Sequence, residues 1–268
     1  MAIFVTELQY TKMIFHYHNT PIHYHKQGTG AVIVMLHGFL ESSTMWQKIA
    51  AVLSKKNTVL MLDLPGFGQS GVLDKTLTME AMATIVCEVL AFENFKSATL
   101  LGHSMGGYVA LAFGELFPKK LDKLILLNSS PTPDSRSRKE NRDRALTIID
   151  KNKAAFVTMA IGNLFNAEEK SKHTLAIKGL KNEALHISAN GVAAAIKAMR
   201  DRKDRCTLLK NVPCEKHVIA GTHDLIMPHQ DIVAVSKQTN TTLHSIECGH
   251  MSWLTNGPEV IALLQSII

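Results

Sequence analysis

The stretch ATLLGHSMGGYVALAFGELF (residues 98–117) decides the fold of this chain. It opens with a short apolar run, turns through G-H-S-M-G, and continues from Met105 to Phe117 with helical periodicity. An apolar run bounded by a glycine turn suits a strand buried on both faces of a parallel sheet. Placed between a strand and a helix, G-x-S-x-G forces its central residue into a strained backbone conformation that only small flanking residues tolerate. Ser104 then projects from the turn. The Met105 N–H at the helix start suits a developing negative charge.

Outward from this segment, strand and helix patterns alternate. AVIVML (31–36) ends at His37-Gly38, TVLMLDL (58–64) ends at Pro65-Gly66, and KLILLN (123–128), EKHVIAG (215–221) and TTLHSI (241–246) complete the central strands. Ile14 to Lys26 alternates in polarity around Asn19-Thr20-Pro21, which predicts a hairpin turning there. Helical patterns cover Ser42–Leu53, Thr78–Phe92, His229–Lys237 and Pro258–Ile267. Such alternation predicts an α/β fold with a mostly parallel sheet and right-handed crossovers. From about residue 130 to 205 no buried-strand run occurs, and the patterns are helical. This divides the chain into a core of residues 1–129 and 206–268 and a helical insertion over 130–205.

Composition narrows the class. The chain's 268 residues, 46% of them hydrophobic, exclude a disordered protein and suffice for a core without disulfide or metal. No apolar run reaches the roughly 18 residues of a membrane span. The start, MAIFVTELQYTKMIF, has no basic segment followed by an apolar one and a cleavage site, so a cytoplasmic setting is expected. Four scattered cysteines without metal-ligand spacing read as reduced thiols, and a Cys248–His250 pair is a weak alternative nucleophile system. The net charge of +6 concentrates in RSRKENRDR (136–144) and in Lys197–Lys210. Neither stretch interleaves aromatics or carries a recognition motif, so nucleic acid is not the expected partner. Both read as solvated helix faces, with a bias toward anionic small substrates as the minor alternative.

A serine hydroxyl needs an adjacent base, itself oriented by a carboxylate. Asp224 in IAGTHDLIMP and His250 in ECGHMSW each follow a predicted strand, at the sheet edge where open α/β sheets bind ligands. The order Ser104, Asp224, His250 is that of the strand–elbow–helix architecture. With HGF (37–39), DLPGFGQS (63–70), GHSMGG (102–107), GTHDLIMP (221–228) and GHM (249–251), the chain resembles the α/β-hydrolase superfamily. The resemblance implies an eight-stranded, mostly parallel sheet flanked by helices, with Ser104 as nucleophile, Asp224 as acid and His250 as base. It also implies backbone N–H groups of Phe39 and Met105 as oxyanion donors, and a helical cap formed by the insertion.

Alternatives stay open at several positions. Asp134 follows a strand in a region where some superfamily members carry the acid. Asp63, His37 and His103 read as structural loop residues. Trp46, Met227 and Trp253 either line an acyl pocket or simply pack in the core. His16, His18, His23 and His25 recur at period 2 on the hairpin and raise a metal site, but surface strand histidines are the better reading. No metal or cofactor is expected. The implied activity is hydrolysis of a small carboxylic ester, lactone or thioester through an acyl-enzyme. Serine at the elbow argues against the members that open epoxides or displace halides. HGFLES departs from the HGxGPG typical of carbon–carbon hydrolases, and Tyr108 stands where a menaquinone-pathway synthase has arginine. C–C hydrolase or perhydrolase chemistry with the same triad remains open, as does a non-catalytic receptor or scaffold role. Oligomeric state is not encoded legibly.

Overall fold

A computed structural model of the protein describes residues 11–73 and 76–268. The expectation of no leader at the amino terminus rests mainly on residues 1–10, outside the described ones. Eight strands form one sheet in the order β1-β2-β4-β3-β5-β6-β7-β8. They are β1 Thr11–Tyr17, β2 Thr20–Gln27, β3 Ala31–Leu36, β4 Asn57–Leu62, β5 Ala98–His103, β6 Leu121–Leu127, β7 Glu215–Gly221 and β8 Thr242–Ile246. β2 runs antiparallel to β1 and β4, and every other pairing is parallel. The helices are α1 Gln47–Leu53, α2 Met79–Phe92, α3 Met105–Leu116, α4 Arg136–Gly162, α5 Ala167–Lys172, α6 Thr174–Leu185, α7 Ala189–Arg200, α8 Cys206–Asn211, α9 His229–Thr239, α10 Ser252–Thr255 and α11 Gly257–Ile267.

The central strands read as continuous apolar runs because both faces are covered. In β3, Ile33 and Met35 join a core with Trp46, Leu53 and Leu264, while Val34 and Leu36 face the core that includes Val86 and Val109 on the other side. The hairpin forms as expected, but its turn is His18-Asn19, and Thr20 and Pro21 already belong to β2. His18 there adopts φ +51. Its departure from the strand separates it from His16, His23 and His25, which sit opposite Pro21, Ile14 and Lys12. Among the described residues, no group of three or more His, Cys, Asp or Glu is disposed to hold a metal ion. Nor is any described helix long and apolar enough to cross a membrane.

Between β6 and β7 the chain passes through α4 to α8. α4 packs against α6 and α7, and it breaks at Asn152, where φ is −157° and ψ is 81°. α7 lies close on the loop after β4, since a Cβ on Gly191 would come within 2.6 Å of the Gly66 carbonyl. The Lys197–Lys210 stretch is not simply a solvated face. Arg202 and Arg205 are buried. Arg205 pairs with Glu80 at 2.6 Å and Glu115 at 2.9 Å. Arg202 pairs with Asp134 at 2.7 Å and lies 4.1 Å from the Tyr108 ring centre. A guanidinium leaves water only where such partners replace it, and the partners come from distant segments that periodicity does not reveal.

Candidate active site

The site grows from the end of β5. Ser104 sits between β5 and α3 with φ +48° and ψ −111°, a conformation that non-glycine residues rarely hold. The flanking glycines are required by contact. A Cβ on Gly106 would lie 2.1 Å from the Leu36 carbonyl oxygen, and one on Gly102 would lie 2.4 Å from the backbone of Gly106. The elbow is pinned from outside by the Ser104 N–H, which donates to the Leu127 carbonyl at 3.0 Å. Met105 heads α3 and is buried.

Two loops beyond β7 and β8 bring Asp224 and His250 to this elbow. His250 Nε2 lies 3.0 Å from Ser104 Oγ, and His250 Nδ1 lies 2.8 Å from Asp224 Oδ2. This arrangement has Nδ1–H donating to the carboxylate and Nε2 accepting from the hydroxyl. Asp224 Oδ1 accepts from the N–H groups of Ile226 and Met227, both at 2.8 Å. Burial pushes the Asp224 carboxyl up, but His250 and these donors outweigh it and hold the group below the usual carboxylate range. Asp134, the alternative acid, instead bonds Arg142 at 2.7 Å and Arg202. Cys248 packs in the core with its thiol pushed up to about 12, first by burial and then by neighbouring carboxylates, so it offers no thiolate.

Several positioning residues escaped the sequence reading. Asn128, at φ +47° just past β6, donates to Asp224 Oδ2 at 3.1 Å and to the Gly249 carbonyl at 3.2 Å. Its terminal place in KLILLN and the tolerance of asparagine for left-handed φ were the available signal. Glu41 is buried and accepts from the Gly38 N–H at 2.6 Å and Trp253 Nε1 at 3.1 Å. It also pairs with His103 Nδ1 at 2.9 Å, and His103 Nε2 donates to the His250 carbonyl at 3.1 Å. Glu169 on α5 accepts from the Gly249 N–H at 2.8 Å. Asp63 and His37 hold loops. Asp63 accepts from the N–H groups of Ser43 and Gln69, and His37 Nε2 accepts from the Leu64 N–H at 2.9 Å. Burial lowers the His37 imidazole, consistent with its neutral, accepting form.

A cavity of about 520 Å³ opens over Ser104 and His250. Its walls are mainly apolar and come from both the sheet edge and the inserted helices, with Phe39, Tyr108, Phe156, Met199 and Ile226 among them. Met227 lines it too. Trp46 and Trp253 do not. Trp46 is wholly buried on the far side of the sheet among Ile33, Met35 and Ile49, and Trp253 turns its indole N–H toward Glu41. Arg138, Arg142 and Arg144 border the cavity, although the stretch 136–144 is otherwise mostly exposed, as expected of a solvated face.

The fold has close parallels. An esterase from Thermogutta terrifontis is 29% identical, with a TM-score of 0.88 and coverage of 96% of this chain and 97% of that one. An uncharacterized protein of Mycobacterium tuberculosis is 35% identical over 102 residues, 38% of this chain and 30% of its own. A pimeloyl-[acyl-carrier protein] methyl ester esterase of Pseudoalteromonas atlantica is 36% identical over 105 residues, 39% of each chain. The aligned stretch thus spans well under half the length of these two curated relatives. A family model described as the α/β hydrolase fold matches residues 31–257, and the chain belongs to that family.

Proposed function

We propose that this protein is a serine hydrolase acting on small carboxylic esters through an acyl-serine intermediate. One observation carries the proposal: the hydrogen-bonded chain from Ser104 Oγ through His250 to Asp224, on a strained elbow beneath a largely apolar cavity. In this reading His250 takes the Ser104 proton as Oγ attacks the ester carbonyl. Asp224 fixes the imidazole tautomer and stabilises the imidazolium. The N–H groups of Phe39 and Met105 receive the oxyanion, and the imidazolium gives its proton to the departing alcohol. Water deprotonated by His250 then attacks the acyl-serine, and the acid leaves as Ser104 regains its proton. The segment 130–205 acts as a cap over the site, with Met227 in the acyl wall. Similarity to esterases supports the ester class. The four free cysteines support a cytoplasmic setting.

Intact mass after incubation with a fluorophosphonate tests the reading. Wild type gains one adduct and Ser104→Ala gains none. The same substitution lowers kcat on a short-chain p-nitrophenyl ester by roughly four orders of magnitude. No adduct on wild type overturns the assignment and favours a receptor role, and an adduct that persists in Ser104→Ala overturns it in favour of another nucleophile.

A further inference from the structure

The cavity is not electrically neutral. The amino-terminal part of α4 presents Arg138, Asn141, Arg142 and Ala145 along one face toward it, the spacing of a single helical stripe, and Arg144 borders it as well. Three guanidinium groups gather on one carboxylate there. Asp134, whose side chain is fully buried, takes Arg142 at 2.7 Å, Arg202 at 2.7 Å and Arg138 at 4.0 Å. That leaves two positive charges uncompensated. Among the described residues, Arg144 bonds the neutral Asn141 side chain alone, adding a third. Glu140 pairs with Arg136, and Asp143 shares Arg200 with Asp201, which sets one negative charge against the three and leaves a surplus of two. Glu41, the one carboxylate bordering the cavity among the described residues, is matched by His103. Surplus cation beside an apolar cavity attracts an anion more strongly than it does in open water.

We infer that Arg138, Arg142 and Arg144 form an anion subsite, and that the preferred substrates are esters bearing a second, ionised carboxylate or phosphate away from the scissile bond. This rests on the serine-hydrolase reading. The guanidinium groups add binding energy for that anion and leave the chemistry at Ser104 as described above. Arginine suits the role because its planar fork meets such oxyanions in a bidentate way.

The test compares matched esters differing only in that charge. Monomethyl adipate against the methyl ester of adipic monoamide places the carboxylate on the acyl side. γ-Acetoxybutyrate against γ-acetoxybutyramide places it on the alcohol side. In wild type, kcat/KM for the charged member of at least one pair exceeds that of its neutral partner about tenfold, and this ratio falls as salt is raised. Arg138→Gln/Arg144→Gln reduces the ratio toward unity. Arg144→Gln by itself, at an exposed position, reduces it in the same direction should the double variant fold poorly. Calorimetry on Ser104→Ala with the same pairs reads binding without turnover, so a failed subsite and a failed nucleophile give different results. Equal ratios in wild type and variants with equal salt response overturn the inference while leaving the hydrolase reading intact. So does equal or absent binding of both members of each pair to Ser104→Ala.

Discussion

At the scale of single residues, the elbow and its support are held by different kinds of constraint. Ser104 and its glycines are fixed by contacts a few residues away or against the adjacent strand, so their identity is legible in GHSMGG itself. Glu41 and His103 are not legible, because the bond that defines them joins residues 62 apart in sequence. Burial pushes the Glu41 carboxyl up, yet the His103 charge beside it prevails and holds it below its ordinary 4.5. Burial also presses His103 down, and Glu41 more than offsets this, so the imidazole keeps its proton above its ordinary 6.5. The histidine's contribution to stability is therefore complete below pH 6.5 and is lost as pH rises through its raised value. The glutamate's is complete above pH 4.5 and is lost as pH falls through its lowered value. Between those limits the pair contributes most. Denaturant melts of wild type and Glu41→Gln across pH are expected to differ most there, and the gap narrows on going alkaline. A gap independent of pH sinks the assignment of an ionised pair.

At the scale of elements, strand and helix positions follow from periodicity, and the observed ends lie close to the expected ones except at α1, which starts five residues after Ser42 because Ser43–Trp46 form a 3₁₀ turn. β7 coincides with its expected span, and α2 starts one residue after Thr78, whose hydroxyl caps it. The inserted helices were legible as helices, but their docking was not. α5 begins with a capping box between Asn166 and Glu169, a local signature. The same Glu169 carboxylate reaches the Gly249 N–H next to His250, which no local pattern announces. Glu169→Ala leaves the N–H groups of Gly249 and Asn166 without that acceptor. A loss of about 1–3 kcal/mol in unfolding free energy is expected, read from the urea midpoint. Because the His250 loop loosens, kcat on a neutral ester falls more than KM rises. Unchanged kcat in a folded variant shows that α5 does not help hold His250.

At the scale of the whole molecule, Arg202 ties the inserted helices to the sheet. Its guanidinium donates to the carbonyls of Met199 on α7 and of Thr132 in the segment after β6. It pairs with Asp134 and rests on the Tyr108 ring of α3. Removing one partner of a buried ion pair is far more damaging than never having built it. Arg202→Met is expected to destabilise the protein by about 3 kcal/mol, seen as a lowered urea midpoint with an unchanged slope. A midpoint within error of wild type shows that Arg142 alone satisfies Asp134.

The α/β class, the strand and helix succession, the elbow and the placing of Asp224 and His250 just past strand ends were legible in the sequence. Each is imposed by short-range physics: apolar period, glycine sterics, and the chain's exit from a buried strand. Only the tertiary structure decided that Asp224, not Asp134, faces His250, and that Trp46 and Trp253 leave the cavity while Met227 lines it. It alone placed Arg202 and Arg205 as buried struts and Arg138, Arg142 and Arg144 at the cavity rim. Those outcomes depend on which segments, far apart in the chain, are brought together when both faces of the sheet are covered, and a buried charge takes its role from the partner it meets there.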